Sequence, residues 1–334
     1  VKLKSVGSLL PQTLAQTRRA SAEVRARPAN AWALFFNLIS SQIAIGEFKK
    51  AFRLARRAVR SPISTWRWLD ALEHVRVRTS VERVPYRLAR KAGQRFLHHS
   101  LRPAATTNLL TMHYERILAA LGAQFVAATL RGKVVVAAEI EGRSAARYRL
   151  CLARDPLKCR EGELNVELVR VDGNRRVASL SIVVGALDAR SSPDLWIGGL
   201  QGCQGADSKA VTVQATRDLW GLRPKDLLIH AAYSLRDVFG VASLKAISNA
   251  GHVLEPMSGK KRGWHADYDA FWRELGGAPI AGDFFLLPEA RHRRSVEDVP
   301  SAKRRAWRAR YALVDQVDAD IRALASHAVD ERRG

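Results

Sequence analysis

Cysteine is scarce in this sequence and has no paired spacing: Cys151, Cys159 and Cys203 are the three present, without a Cys-x-x-Cys. So odd and scattered a set argues against a disulfide framework and fits inert thiols in a reducing compartment. The nine histidines contain no His-Glu-x-x-His, and His98 and His99 are simply adjacent; no metal site is expected. A Walker phosphate loop, a Rossmann Gly-x-Gly-x-x-Gly and a Gly-x-Ser-x-Gly elbow are all missing, and Cys203 has no nucleophile signature around it. ATP, NAD and serine- or cysteine-hydrolase chemistry are therefore not expected. With 22 Gly and 12 Pro in 334 residues and no internal repeat, collagen-like, low-complexity and solenoid architectures drop out as well.

Acidic residues are also in short supply, and unevenly so. The chain holds 55 Lys and Arg against 32 Asp and Glu, a net charge of +23. Residues 1–110 carry 21 against 5, a surplus of 16, while residues 111–334 carry 34 against 27. The basic character thus belongs to the first third, and the remainder is close to an ordinary globular protein with 47% hydrophobic residues overall.

Residues 1–10 do not read as a secretory signal, being too short and stopped by Pro11. Residues 28–46 carry no charge, close to the length of a membrane span. Asn37, Ser40, Ser41 and Gln42 in the middle of that run would be costly in hydrocarbon, so a buried or interfacial helix is expected instead. Residues 47–60 read as a two-faced helix. Phe48, Phe52, Ala55 and Val59 share one side, and Lys49, Lys50, Arg53, Arg56, Arg57 and Arg60 fill the other. Such a helix can pack its apolar side on a core, or it can lie on an anionic membrane or an acidic protein. Nucleic acid is a weaker third partner, with Trp66-Arg67-Trp68 the only local stacking candidate.

Residues 29–130 show helical periodicity; from residue 132 the texture turns to short β-rich runs. Strands are expected at 133–140, 147–152, 164–171, 176–184 and 194–200, with Asp172-Gly173-Asn174 marking a hairpin. Helices follow at 209–220 and 224–239, then a strand at 241–247, a short helix at 268–275, a strand at 283–287 and a long helix at 302–328. Antiparallel hairpins followed by one strand–helix–strand crossover give an α+β fold, with a basic helical part packed on a mainly antiparallel sheet. The 194–200 and 241–247 strands should then be parallel neighbours. The divisions expected are a tail at 1–28, a basic helical region at 29–130 and an α+β region at 131–330.

Several segments occur together: His113-Tyr114 opening a helix, Glu161-Gly162-Glu163-Leu164 before the hairpin, and IGGLQG at 197–202. They are followed by TRDLWGLRPKDLL at 216–228, DYDAFWRELGG at 267–277, FFLLP at 284–288 and KRRAWRARY at 303–311. In this combination the chain resembles the VirK/YbjX family of bacterial proteins, over roughly residues 30–325. The resemblance implies a Gram-negative intracellular protein connected with virulence, envelope integrity and resistance to cationic antimicrobial peptides. It carries no catalytic residues with it, and it leaves open whether there is catalysis at all.

Two chemistries are compatible with this reading. The first is an envelope-associated factor that docks through Lys49, Lys50, Arg53, Arg56 and Arg57 on an anionic membrane or an acidic protein, in the cytoplasm or peripherally at the inner membrane. The second is an acyltransferase of acetyltransferase-like element order, using acyl-CoA or acyl carrier protein. In that architecture a splayed strand and the helix after it hold the donor, whose phosphates meet backbone N–H groups. Gly198, Gly199, Gln201, Gly202 and Gly205 would form the donor bend, although the usual Gln/Arg-x-x-Gly-x-Gly/Ala spacing is absent. Glu161, Glu163 and His113 are candidate bases, and Tyr268 is the candidate acid.

Overall fold

The computed structural model of the chain describes residues 29–155, 158–254 and 267–330, so the expected tail at 1–28 lies outside the described residues. Five helices come first: α1 (Ala29–Ala44), α2 (Phe48–Arg60), α3 (Pro62–Thr79), the short α4 (Tyr86–Ala89) and α5 (Pro103–Leu130). A 3-10 turn, Arg90–Gly93, extends α4. Proline opens both α3 and α5, where its missing N–H has no helical partner to lose. α1 and α2 pack on each other and on α3, and α3 lies against α5, which reaches the sheet.

The sheet follows: β1 (Val135–Glu141), β2 (Arg147–Ala153), β3 (Leu164–Arg170), β4 (Arg175–Gly185) and β5 (Asp194–Gly202) form an antiparallel meander. The β3–β4 hairpin turns at Asp172–Asn174 with Gly173 at φ 74°, a left-handed conformation that glycine adopts without a Cβ clash. α6 (Ser208–Asp218) and α7 (Pro224–Val238) then cross to β6 (Leu244–Ile247), which pairs in parallel with β5. The expected parallel neighbours are thus in place. α8 (Tyr268–Glu274), β7 (Ala278–Ile280), β8 (Phe284–Leu286) and α9 (Ser301–Asp330) complete the chain. The eight strands run in the order β1-β2-β3-β4-β5-β6-β8-β7, and the fold is α+β.

β4 and β5 are buried over nearly their whole length, as central strands covered on both faces must be. α5 and α7 pack on β4, and α9 bridges α7, α5 and β1. One continuous apolar cluster runs from Leu34 on α1 through Trp68 and Tyr114 to Ile182 on β4 and Ile321 on α9. Trp68 is fully buried, and its indole N–H donates to the Leu88 carbonyl at 2.9 Å. Its partner in the stacking candidate, Trp66, lies half-buried with its ring 5.1 Å from Trp32, so the pair forms core and rim packing.

Candidate functional site

The sheet parts between β5 and β6. The two strands pair only at Leu195 with Leu244, Trp196 with Lys245, and Ile197 with Ala246, yet β5 continues to Gly202. Where the strands part, β5 carries a bulge. Ser181 and Ile182 on β4 face Gly199 and Ile197, leaving Gly198 as the extra residue. A Cβ at Gly198 would collide with the Glu161 carbonyl, and one at Gly199 with the Glu161 carboxylate, so both positions require glycine for close approach. Beyond the last β5–β6 pair, other groups line the open side of β5. The hydroxyl of Tyr268 accepts from the Leu200 N–H at 3.2 Å, and the His252 ring lies beside the Gly198 backbone.

Glu161 lies buried against this bulge, in the short turn that leads into β3. Gln201 Nε2 donates to both carboxylate oxygens at 3.3 and 3.2 Å, and Ser181 Oγ reaches Oε2 at 3.4 Å. Ser181 also donates to Asn165 Oδ1 at 2.8 Å. His252 Nε2 lies 3.8 Å from Glu161 Oε1. Burial pushes the Glu161 carboxyl up to about 7, against the smaller pull of Lys158 and of its hydrogen bonds. Burial also lowers His252 to about 4 and raises Tyr268 to about 12, the Glu161 charge adding to the latter. At neutral pH the three groups are therefore a carboxyl near its midpoint, a neutral imidazole and a protonated phenol. Such a set can take a proton and return it.

Glu163, two residues on, is placed quite differently. It is wholly buried among Lys91 Nζ, Arg154 Nε at 2.6 Å and the Tyr114 hydroxyl at 2.7 Å. This cluster fastens the 3-10 turn and the end of β2 to the start of β3. Burial lowers the Lys91 ammonium well below its usual range and raises Tyr114 to about 12. His113 is equally deep in α5. Its Nδ1 accepts from the Val184 N–H at 3.2 Å, and burial brings it down to about 3. Of the four acid–base candidates, Glu161 and Tyr268 come together at the 198–200 segment of β5, whereas Glu163 and His113 are anchored elsewhere.

The remaining glycines mark the end of β5. A Cβ on Gly202 would meet only Lys225 Cε at 3.6 Å, in ordinary contact, and Gly205 has φ 106° in the bend before α6. Arg175 ties that bend down by donating to the Gln204 carbonyl at 2.8 Å and by pairing with Asp207. Lys225 is partly buried, and both that burial and the neighbouring Arg223 lower its pKa. An anion placed there would relieve both effects.

Among the docking candidates, Lys49, Arg53 and Arg56 are exposed and Lys50 pairs with Glu47 at 2.7 Å. Arg57 turns inward and donates to the Arg90 carbonyl at 2.8 Å, with burial lowering it to about 10. His98, His99 and Asp283, among the described residues, bring one ligand atom each within 4.8 Å, a set able to hold a divalent cation that the sequence spacing does not announce. His98 Nδ1 accepts from the Ser100 N–H at 3.1 Å, leaving Nε2 3.7 Å from Asp283 Oδ2. His252, Ser181 and Asn165 are site residues that no sequence motif singles out. Ser179 and Ser181, alternating inside an otherwise apolar strand, were the available signal; nothing local marks His252.

No helix among the described residues is long and apolar enough to cross a membrane. A family model described as a protein of unknown function, DUF535, matches residues 44–323. An uncharacterized protein of Escherichia coli (strain K12), YbjX, is 25% identical over 301 residues, covering 87% of this chain and 89% of that protein. Two uncharacterized proteins of Haemophilus influenzae are 28% identical over 176 residues and 32% identical over 129. The first match covers 53% of this chain and 57% of the relative, the second 39% and 43%. No solved structure matches the chain.

Proposed function

Starting from a chain that belongs to the DUF535 family, the VirK/YbjX group, we propose that it transfers an acyl group from a phosphopantetheine thioester to an amine or hydroxyl acceptor. The observation that carries this reading is the opening between β5 and β6, with the Gly198 bulge and a carboxyl held near 7 against it. The donor's pantetheine arm would lie along β5 where β6 has left it, and its phosphates would meet the 202–205 bend and Lys225. Glu161 takes the proton of the attacking nitrogen or oxygen as the new bond to the acyl carbon forms. The carbon–sulfur bond then breaks, and the Tyr268 hydroxyl gives the leaving thiolate its proton, which Glu161 restores by way of the site. On balance the acceptor's proton ends on sulfur. Gln201 and Ser181 orient the carboxylate; Glu163 and His113 serve as structural anchors. Acyl-CoA and acyl carrier protein share the donor chemistry, and a basic chain suits an acidic carrier protein.

Gly202→Val tests the donor site, because the fold has room for the side chain. Calorimetric titration should show the wild type binding an acyl-CoA or an acyl carrier protein and the variant losing that binding at an unchanged melting temperature. Glu161→Gln should keep donor binding and lose thiol release. Failure of the folded wild type to bind either donor at high micromolar concentration would overturn the reading.

A second reading, the docking factor, is favoured by the outward placement of Lys49, Arg53 and Arg56. It accommodates the role in virulence, envelope integrity and antimicrobial-peptide resistance that the family resemblance implies, with a peripheral seat at the cytoplasmic face of the inner membrane. The two readings are compatible: an acyltransferase can work while docked.

A further inference from the structure

The residues that a packed protein hides are, in one region of this chain, on the outside. Fourteen large hydrophobic side chains are exposed among the described residues, and eight of these lie between residues 32 and 63. All four of the exposed aromatics are there: Trp32, Phe36, Phe48 and Phe52. Trp32 and Phe36 are four residues apart on α1 and stack at 6.0 Å, while Phe48 and Phe52 repeat the same spacing on α2. α2 meets its neighbours through Ala51 and Leu54, the smaller side of the helix, which leaves the rings outward. Ile45, in the turn between the two helices, and Ile63 at the start of α3 are exposed as well.

Charge in the same stretch is of one sign. Residues 29–68 contain Lys49, Lys50, Arg53, Arg56, Arg57, Arg60 and Arg67 against the single carboxylate Glu47. Isolated exposed apolar residues need no explanation, but a run of exposed aromatics on two packed helices does. A cationic surface alone would suit any polyanion. Rings and aliphatic chains among cations suit a bilayer surface, where cations reach lipid phosphates and rings enter the acyl boundary.

We propose that α1 and α2 form a membrane-docking surface for an anionic bilayer, in which Trp32, Phe36, Phe48 and Phe52 insert among the acyl chains and Lys49, Arg53, Arg56 and Arg60 bind the phosphates. This deepens the docking reading by naming its partner and adding the inserted rings; it is independent of acyl transfer. The surface is nevertheless joined to the buried Glu163 cluster. Arg57, on the inner side of α2, donates to the Arg90 carbonyl, and the next residue, Lys91, pairs with Glu163.

The test is flotation of the full chain with vesicles of phosphatidylglycerol and phosphatidylethanolamine, beside vesicles of phosphatidylcholine alone. Wild type should float with the anionic vesicles, less so at 1 M salt, and not with the neutral ones. Phe48→Ser/Phe52→Ser should weaken flotation by about tenfold or more, as loss of buried apolar area requires. The triple reversal Lys49→Glu/Arg53→Glu/Arg56→Glu should abolish it, and both variants should keep the wild-type circular dichroism and melting temperature. If the reversal abolishes flotation and the serine variant does not weaken it, insertion is wrong while electrostatic docking stands. If the wild type does not float and instead forms a concentration-dependent dimer that the serine variant loses, the surface binds a second copy and the membrane proposal is overturned. Donor titration on the same preparations reports on acyl transfer separately.

Discussion

Burial raises the Glu161 carboxyl to about 7, outweighing the hydrogen bonds from Gln201 and Ser181 and the pull of Lys158, which favour its charge. The consequence for stability has a definite sign. The folded chain holds this proton up to about pH 7, whereas the unfolded chain releases it near 4.5, so stability falls as pH rises through that window and then levels. The loss amounts to about 3 kcal/mol at most for a shift of this size. Glu161→Gln should therefore be more stable than the wild type at pH 8 and close to it at pH 4, as read by urea midpoints at the two pH values. A difference independent of pH would contradict the placement. Glu163 is instead matched to Lys91, Arg154 and Tyr114. Glu163→Ala strips Lys91 and Arg154 of their buried carboxylate partner and should cost about 3–5 kcal/mol in the same assay. A change below about 1 kcal/mol would mean that the cluster is not coupled to the fold. From the sequence, Glu161, Gln201 and Tyr268 were identifiable by their position before a hairpin, in a Gly-rich bend and on a short helix. The distinct fates of Glu161 and Glu163 were not, because they depend on which loops close over each carboxylate.

At the scale of elements, alternation and capping residues carry most of the fold. The β3–β4 hairpin sits where Asp172-Gly173 marks it, and α7 begins at Pro224 as its proline suggests. No sequence pattern marks β7. It is three residues long with Pro279 inside it, below the length at which period-two alternation is readable and tolerable only at a sheet edge. The spacing of Phe48 and Phe52 marks one face of α2 but not its direction. That depends on what α1, α3 and the 3-10 turn leave to be filled, and Ala51 and Leu54 fill it. The β5 bulge is legible only as a pair of glycines; its shape comes from the approach of the Glu161 carbonyl. Gly198→Ala and Gly202→Ala should consequently separate. The first forces backbone apart and should cost about 3 kcal/mol or more, and the second should stay within about 0.5 kcal/mol. Equal melting temperatures for the two variants would show that the close approach is absent.

Over the whole molecule, element order alone led to the α+β class, and the charge split between the first third and the remainder was plain arithmetic. What order and charge do not reveal is that the basic layer and the buried Glu163 cluster meet through one 3-10 turn, since that contact joins residues 33 positions apart at Arg57 and Arg90 and 72 apart at Lys91 and Glu163. The proposed acyl transfer requires that the β5–β6 opening receive a thioester donor. Amide hydrogen exchange of the full chain, followed by mass spectrometry with and without saturating acyl-CoA or acyl carrier protein, tests this without knowledge of the acceptor. Peptides spanning residues 198–205 should exchange at least about tenfold more slowly with donor present, since protection follows local opening, while peptides from β1 and β2 stay unchanged. Exchange at 198–205 that is the same with and without either donor would rule out donor binding at this opening.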